Sequence, residues 1–345
     1  MKKFFKLFLL AVLGISLVAC SSGDDTKAKE DSGKEEKTDS LTVYSPHPAE
    51  TINLVVKEFQ EKTGIKVDVV AAGTGELLKR VESEDGNPLG DVLWGGGAES
   101  LASYTKYFEA YESKELDHID AKYYDKDYKW IGESPLPMVL MYNKNLVSEA
   151  DVPTKWADAT KAEFEGKIAM ADPAKSGSAY TILATMVEAY GKDNGKGWDF
   201  IDKFYQNLDG KLLSSSSSVY KGVADGEYAL GLTLEKEAIK YVLNGAPVEI
   251  VYPEEGTSAV PDGVAIIKDA KNKANAKAFI DFVLSKETQE IMSKELSRRS
   301  IRDDVAAPEG LQPLEDIKLV DYDFKWASND KEKILNEWKQ IIVKY

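Results

Sequence analysis

The feature that most constrains the fold is a regular alternation of short apolar segments with amphipathic segments beyond residue 40. Residues 41–44 and 65–70 are apolar runs that predict buried strands, and residues 50–63 between them carry apolar side chains at helical spacing. Gly64 stands where a helix-ending glycine is expected. Alternation of this kind is typical of an α/β fold with a parallel-type sheet, helices on both faces, and ligands bound at the carboxyl ends of the strands.

The alternation continues and then restarts near Met138, which predicts two lobes. Further strands are predicted over residues 91–94, 139–143, 167–170, 228–232, 248–252 and 264–267, and further helices over residues 76–83, 178–190 and 274–284. The turn-rich stretch 253–263 predicts a return to the first lobe, and two crossings between lobes make a hinge. The predicted bodies are lobe 1 over residues 41–138 plus 264–300 and lobe 2 over residues 139–263 plus 301–345.

The N-terminus carries two lysines and then an apolar stretch that ends at Cys20, the one cysteine of the chain. The apolar residues 4–18 are few for a membrane span, and residues 17–19 lead into a cleavage site. This pattern resembles a bacterial lipoprotein signal. The resemblance implies a signal peptide over residues 1–19 and a lipid on Cys20 that holds the protein at the outer face of the cell membrane. An ordinary secretory signal with an incidental cysteine is the alternative.

Residues 21–40 contain no aliphatic side chain larger than Ala and are rich in Ser, Gly, Asp, Glu and Lys. Such a segment has nothing to bury, so residues 20–40 are expected to form a lipidated cysteine and a disordered tether. With one cysteine the chain can form no internal disulfide and depends on its cores. The 345 residues and 43% hydrophobic content are ample for two cores.

The chain is acidic, with 44 Lys and Arg against 59 Asp and Glu and a formal net charge of -15. This balance argues against a nucleic-acid surface. An acidic body does not attract an anionic ligand by its overall field. Any anion site therefore has to be built locally, from backbone amides, helix N-termini and a few Arg or Lys.

Several short motifs, in order along the chain, carry a resemblance to a known family. They are Val43-Tyr44-Ser45-Pro46-His47, Gly64-Ile65-Lys66-Val67, Asp91-Val92-Leu93-Trp94, Tyr142-Asn143, Ala171-Asp172-Pro173, Ser176-Gly177-Ser178, Asp225-Gly226-Glu227-Tyr228, and Tyr252-Pro253 followed by Gly256. By their order and spacing the chain resembles the extracellular solute-binding proteins of ABC importers, in the branch that holds ferric-iron, sugar-phosphate, phosphoglycerate and phosphonate binders. The resemblance covers nearly the whole chain beyond the tether.

The resemblance implies a two-lobed, periplasmic-binding-protein-like (type II) fold with a hinge and an interlobe cleft. It implies a monomer that closes over one small ligand, delivers it to a membrane permease, and performs no chemistry of its own. No cofactor is expected. The chain also has no nucleophile elbow, no Walker loop and no metal-spaced Cys or His set, which argues against an enzyme. A lipid-anchored adhesin or foldase is a third class, which needs an exposed interaction surface instead of hinged lobes.

Ferric iron ranks second as ligand. In the iron-binding branch two adjacent tyrosines follow the strand after the Gly-Glu pair, whereas residues 231–237 of this chain contain no tyrosine. Ferric iron prefers hard anionic oxygen ligands, so the loss of two phenolates removes most of such a site. A metal held by His47 with carboxylates such as Glu50 and Glu235 stays open as a further alternative.

Two Gly- and Ser/Thr-containing segments suit an organic anion better. Ser176-Gly177-Ser178 directly precedes an apolar helix, so its hydroxyls and the free amides of the first turn are expected to meet one anion at the positive end of the helix dipole. Gly73-Thr74-Gly75 is expected to do the same from the other lobe. Ordinary helix capping and a plain turn are the alternatives for these segments.

Other candidate ligand-binding residues lie at the ends of predicted strands. Ser45 and His47 follow the first strand, and Glu235 follows the strand at 228–232. A carboxylate near an anion makes sense if it accepts from hydroxyls or an amine, which predicts a ligand with an anionic end and a hydroxyl-rich or amino end. The remaining candidates are Gly96, Ser217, Ser218 and Arg299. Several of these candidates have an alternative: His47 as a surface histidine, Ser217 and Ser218 as part of a flexible serine loop, and Arg299 as part of a solvated basic patch. The second histidine, His118, is expected to be exposed.

The anchor assignment is tested by Cys20→Ala. Loss of the lipidated cysteine should release the protein from membranes, because a soluble body on a tether has no other anchor. Membrane fractionation followed by immunodetection measures this. A variant as membrane-bound as the unmodified protein would show that the assignment is wrong.

Overall fold

The structure is a computed structural model that describes residues 39–345. The predicted signal, Cys20 and nearly all of the predicted tether lie outside these residues. The strands are β1 (Ser40–Ser45), β2 (Lys66–Ala71), β3 (Val92–Gly97), β4 (Phe108–Glu109), β5 (Ile131–Pro135), β6 (Met138–Asn143), β7 (Ile168–Ala169), β8 (Leu230–Leu234), β9 (Val248–Val251) and β10 (Pro261–Ile267). The α-helices are α1 (Ala49–Thr63), α2 (Thr74–Ser83), α3 (Ala98–Ala102), α4 (Gly177–Tyr190), α5 (Lys196–Asn207), α6 (Ser216–Ala224), α7 (Glu235–Leu243), α8 (Lys273–Leu284), α9 (Lys286–Leu296), α10 (Phe324–Asn329) and α11 (Lys331–Lys344).

The strands form two separate sheets. The first is six-stranded, in the order β2-β1-β3-β10-β4, with β5 also paired to β10. The second is four-stranded, in the order β7-β8-β6-β9. We call the body on the first sheet lobe 1 and the body on the second sheet lobe 2. This architecture confirms the predicted α/β, two-lobed fold class.

The sheets are mixed, which corrects the expectation of a parallel-type sheet. In lobe 1, β1 is parallel to β2 and β3, but β10 is antiparallel to β3, β4 and β5. In lobe 2 the β7–β8 pair is parallel, and β6 is antiparallel to β8 and β9. The reason is that β10 enters lobe 1 from the other lobe through a loop, without the helical crossover that a parallel neighbour requires.

Each lobe has its own apolar core. In lobe 1, Phe59 of α1 packs edge-on against Phe279 and Phe282 of α8, with ring centroids 5.1 and 5.3 Å apart. The periodic apolar face predicted for residues 50–63 therefore is the face that packs on the sheet. In lobe 2, the buried Trp156 and Trp338 belong to one cluster with α4 and α5. No helix within residues 39–345 is long and apolar enough to cross a membrane.

The chain passes between the lobes at three places. Residues 136–137 join β5 to β6, and residues 252–260 join β9 to β10, so β10 begins inside the predicted turn-rich stretch. The third passage follows Arg302. Ile301 packs in the core of lobe 1, and Arg302 Nη1 donates to Glu115 Oε2 in lobe 1 at 2.8 Å, whereas α11 packs on lobe 2.

The C-terminal helix is expected to stabilise lobe 2. Trp338→Ala removes a buried indole and should cost about 3–5 kcal/mol of unfolding free energy. Val343→Ala on the same helix is the matched control, because Val343 is exposed and its loss should leave stability nearly unchanged. Urea denaturation followed by circular dichroism compares them. Equal midpoints for the two variants would contradict the docking of α11.

Candidate ligand-binding cleft

The starts of five helices meet at one cleft between the lobes, with a volume of about 290 Å³. The residues that contribute these starts are Pro48 before α1, Gly73 and Thr74 of α2, Ser176 and Gly177 of α4, Ser216 and Ser217 of α6, and Lys236 of α7. First-turn amides have no partner within their helix, and each helix start carries a partial positive charge. The cleft is thus locally suited to an anion although the whole chain is acidic.

The starts of α2 and α4 touch across the cleft, which shows that the lobes are closed on each other. A Cβ on Gly177 of lobe 2 would lie 2.7 Å from Oγ1 of Thr74 in lobe 1. A Cβ on Gly73 would lie 2.4 Å from the carbonyl oxygen of Lys175, and one on Gly96 would lie 2.6 Å from Cγ2 of Thr74. Gly73 and Gly177 therefore allow the two helix starts to approach, and Gly96 allows Thr74 to pack on β3 within lobe 1.

Gly75 also allows the starts of α2 and α4 to approach, although it does not line the cleft. A Cβ at this position would lie 2.4 Å from the carbonyl oxygen of Ala174. Helix α2 begins at Thr74, two residues earlier than predicted. Gly75 is therefore inside the first turn of the helix and is not among the residues that line the cleft. Within residues 39–345, the backbone amides of Thr74, Gly177 and Ser178 have no protein acceptor.

The serines described at the cleft either cap a helix or lie within hydrogen-bond distance of a capping serine. Ser176 caps α4, since its Oγ accepts from the amide of Ala179 at 3.3 Å, and it also lies 3.1 Å from Oγ of Ser178. Ser217 lines the cleft, with its Oγ 2.8 Å from Oγ of Ser215, the cap of α6. Ser218 does not line the cleft; its amide donates to the Ser215 cap.

Ser45 is the last residue of β1 and His47 follows that strand, and both line the cleft, as predicted. Oγ of Ser45 donates to the carbonyl of Trp94 at 2.8 Å and accepts from the amide of His47 at 3.2 Å, so it positions the histidine. The His47 ring is buried against Trp94, with Nε2 2.8 Å from Oε1 of Glu133. Burial lowers the pKa of His47 despite that carboxylate. In the neutral ring Nε2 then donates to Glu133, which leaves Nδ1 as an acceptor.

A buried charge network forms the floor of the cleft. Glu133 accepts from Nε1 of Trp94 at 2.7 Å and from Nη2 of Arg298 at 2.8 Å. Asp262 accepts from Nζ of Lys236 at 2.9 Å and lies 3.5 Å from the same Arg298 nitrogen. Two carboxylates thus face two cations, which is how buried charges are tolerated. Burial alone would raise the pKa of Asp262, but Lys236 and the other neighbouring cations hold it well below its usual range.

This network does not fit a metal. His47, Glu133 and Asp262 have ligand atoms within 4.8 Å of one another. Arg298 already lies against both carboxylates and Lys236 against one of them, so a metal ion would meet two fixed cations.

The alternative metal ligands predicted from the sequence are not brought together with His47. Glu50 pairs with Nζ of Lys240 at 2.9 Å, and Glu235 is committed to a separate ion pair with Arg299.

Neither Glu235 nor Arg299 lines the cleft, in contrast to the roles expected from the sequence. Nε and Nη2 of Arg299 each donate to Glu235 at 2.8 Å, and Nη2 also donates to the carbonyl of Gln312 at 2.6 Å. The hydroxyl of Tyr252 donates to Glu235 as well. Both charges are buried and satisfied by each other. His118 is exposed, as predicted, and lies 3.1 Å from Asp303.

The sequence reasoning missed four charged residues of the cleft: Lys175, Lys236, Glu237 and Asp262. Lys236 and Glu237 lie in the first turn of α7, directly after β8, where the rule used for Glu235 also applies. Asp262 lies at the start of β10, so no strand-end signal marked it. Glu133 and Arg298 meet from positions 165 apart in sequence, and nothing local predicts that pair.

The Glu235–Arg299 pair should act in stability and not in ligand binding. Arg299→Leu leaves a buried carboxylate unpaired and should cost about 3–5 kcal/mol, as measured by urea denaturation. The double variant Arg299→Leu with Glu235→Leu removes both charges and should regain most of that loss. Its ligand affinity should equal that of the parent protein; a loss of affinity with restored stability would place the pair in the site after all.

The chain is similar to known solute-binding proteins. A family model described as bacterial extracellular solute-binding protein matches residues 55–318. The periplasmic binding protein AfuA of Actinobacillus pleuropneumoniae, solved with exogenous fructose-6-phosphate bound, superposes with a TM-score of 0.82 at 28% identity, over 89% of this chain and 99% of that one.

Two curated relatives support the same grouping. The probable ABC transporter periplasmic-binding protein y4fP of Sinorhizobium fredii is 30% identical, over 71% of this chain and 69% of its own. Iron uptake protein A1 of Synechocystis is 25% identical, over 83% of this chain and 82% of its own. The chain belongs to the bacterial extracellular solute-binding protein family, in the branch of ferric-iron, sugar-phosphate and phosphonate binders.

Proposed function

We propose that this substrate-binding component of an ABC import system captures a small organic anion, namely a phosphorylated compound of the sugar phosphate, phosphoglycerate or aminoalkylphosphonate class. The observation that carries the proposal is the convergence of five helix starts on one small cleft. A tetrahedral oxyanion has acceptor oxygens that point in several directions, so it suits amides that reach it from α2, α4 and α6 together. Lys175 adds a side-chain cation at the same cleft, whereas the charge of Lys236 is balanced by Asp262.

The cleft has helix starts that suit an anion and also a carboxylate, Glu237, that suits hydrogen-bond donors. This supports a ligand with two chemically different ends. Glu237 lines the cleft and its carboxylate is buried, with Nζ of Lys240 3.6 Å away. That lysine is held more closely by Glu50, at 2.9 Å. An ionised carboxylate only accepts hydrogen bonds, so the ligand has to bring hydroxyl or ammonium donors to Glu237. Glu237, and not Glu235 as expected from the sequence, is therefore the carboxylate that accepts hydrogen bonds from the ligand in this proposal.

A side pocket of about 580 Å³ continues the cleft past His47, Ser217, Tyr220 and Glu237. The ring of Tyr220 lies 5.8 Å from that of Tyr241 there. An apolar ring beside an acceptor is the usual surroundings of a sugar face or a short alkyl chain. Inorganic phosphate would leave these groups unused. The AfuA complex with fructose-6-phosphate lends support to the sugar phosphate class.

Ferric iron is the second candidate, because a relative is named as an iron uptake protein. Against it stand the absent tyrosine pair in residues 231–237 and the two cations that face His47, Glu133 and Asp262. We further propose that the protein works as a monomer held by a lipid on Cys20 at the outer face of the cell membrane, where it meets its permease.

A thermal-shift panel tests the ligand class. Hexose phosphates, phosphoglycerates, aminoethylphosphonate, inorganic phosphate and ferric citrate are compared, because a ligand that binds the native state raises the melting temperature. Thr74→Ala with Ser178→Ala should abolish the shift given by the organic phosphate and leave the unliganded melting temperature nearly unchanged. Each lost hydrogen bond to a charged ligand is worth about 1.5–3 kcal/mol.

The control variant is Thr63→Ala with Ser83→Ala, two exposed hydroxyls on α1 and α2 outside the cleft, and it should keep the full shift. Stabilisation by ferric iron alone, or a visible tyrosinate-to-iron absorption band, would replace the organic anion by iron.

A further inference from the structure

A buried carboxylate outside the ligand cleft joins the two lobes. Glu99 of α3 in lobe 1 is fully buried and accepts a hydrogen bond from Oγ1 of Thr181 on α4 in lobe 2. Helix α4 is the same helix whose start faces Thr74 in the cleft, so Thr181 lies one turn behind the ligand site. Because the contact joins the two lobes, any separation of the lobes would break it.

The surroundings of Glu99 are poor for a negative charge. Its Oε2 is buried without a hydrogen-bond partner in the described part of the chain, and a Cβ on Gly97 would lie 2.6 Å from that atom. The Tyr322 hydroxyl is likewise buried and unpaired. An ionised carboxylate with an unsatisfied oxygen is costly to bury, whereas the neutral acid is not. Opening the lobes would return this oxygen to water.

The charged and titratable groups around Glu99 come from four other elements. They are Tyr180 of α4, Lys331 of α11, Asp262 of β10 and Tyr322 before α10, and Thr181 of α4 adds a neutral hydroxyl donor. Burial raises the pKa of Glu99 to about 7, and the Thr181 hydroxyl and Lys331 ammonium oppose this only in part. Burial also lowers the pKa of Lys331 to about 8, so its positive charge weakens as the pH rises.

We propose that Glu99 is a proton-dependent latch between the lobes, which favours the closed state when it is protonated and opposes closure when it is ionised. The sign follows from linkage. The carboxyl binds its proton more tightly in the closed state than when solvated, so closure is favoured below pH 7 and this contribution is lost as the pH rises through 7. The equilibrium constant for closure should fall about tenfold from pH 6 to pH 8, and the closed fraction falls by the same factor where the open form predominates.

The test follows lobe closure without any ligand. Glu50 and Lys240 face each other across the lobes, 2.9 Å apart, so Glu50→Cys with Lys240→Cys in a Cys20→Ala background places two thiols at the cleft mouth. The rate of cross-linking by a short bis-maleimide reports the closed fraction. The matched variant carries Glu99→Gln, a neutral side chain of the same shape, and the ratio of the two rates at each pH cancels the ionisation of the thiols.

The rate with Glu99, divided by the rate with Gln, should fall about tenfold between pH 6 and pH 8. A ratio constant within twofold over this range overturns the latch. Thr181→Val in the Glu99 background is the second variant and should move the midpoint to higher pH, because it removes a donor to the ionised carboxylate. A midpoint unmoved by Thr181→Val also overturns the proposal, even if the Gln variant folds poorly.

Discussion

The site depends on one feature of the backbone: helix starts converge on it, and the amides of a first helical turn have no acceptor within their own helix. In an α/β lobe each helix begins just after the end of a strand, so the helix starts gather at one edge of the sheet. Here the edges of two sheets face each other, and α2 and α4 touch at Thr74 and Gly177. The result is a positive site on a chain with a net charge of -15, made from the backbone and not from surface charge.

A buried network of paired charges lies below this site. Arg298 and Lys236 neutralise Glu133 and Asp262, so the floor stays compact without a ligand. Because these four charges are paired, they neither add to nor cancel the anion site above them. Glu237 is a buried carboxylate of the cleft whose nearest cation, Lys240, lies 3.6 Å away, and under the proposed function it would separate a phosphate with hydroxyl or amino groups from a bare phosphate. Position and pairing, more than the number of charges, thus decide what the cleft can hold.

The strands and helices with a clear apolar period and the helix-start segments of α2 and α4 were predictable from the sequence, because periodicity and capping are local, whereas elements such as β5, α5, α9 and α11 were not predicted. Gly64 ends α1 with φ of 74°, as expected, and Ser176 caps α4. The sequence did not show which of two charged residues close together in the chain faces the cleft. Glu235 and Glu237 are two residues apart in one helical turn, which points them to different sides. The adjacent Arg298 and Arg299 likewise go to different partners, and only the tertiary contacts show that Arg298 is the one beneath the cleft.

Native mass spectrometry of the protein purified from its own host, joined to phosphorus NMR of the released molecule, tests the central claim most directly. The account predicts one small organic anion per chain that contains phosphorus and carries hydroxyl or amino groups. A ferric ion, or a bound compound without phosphorus, would contradict it.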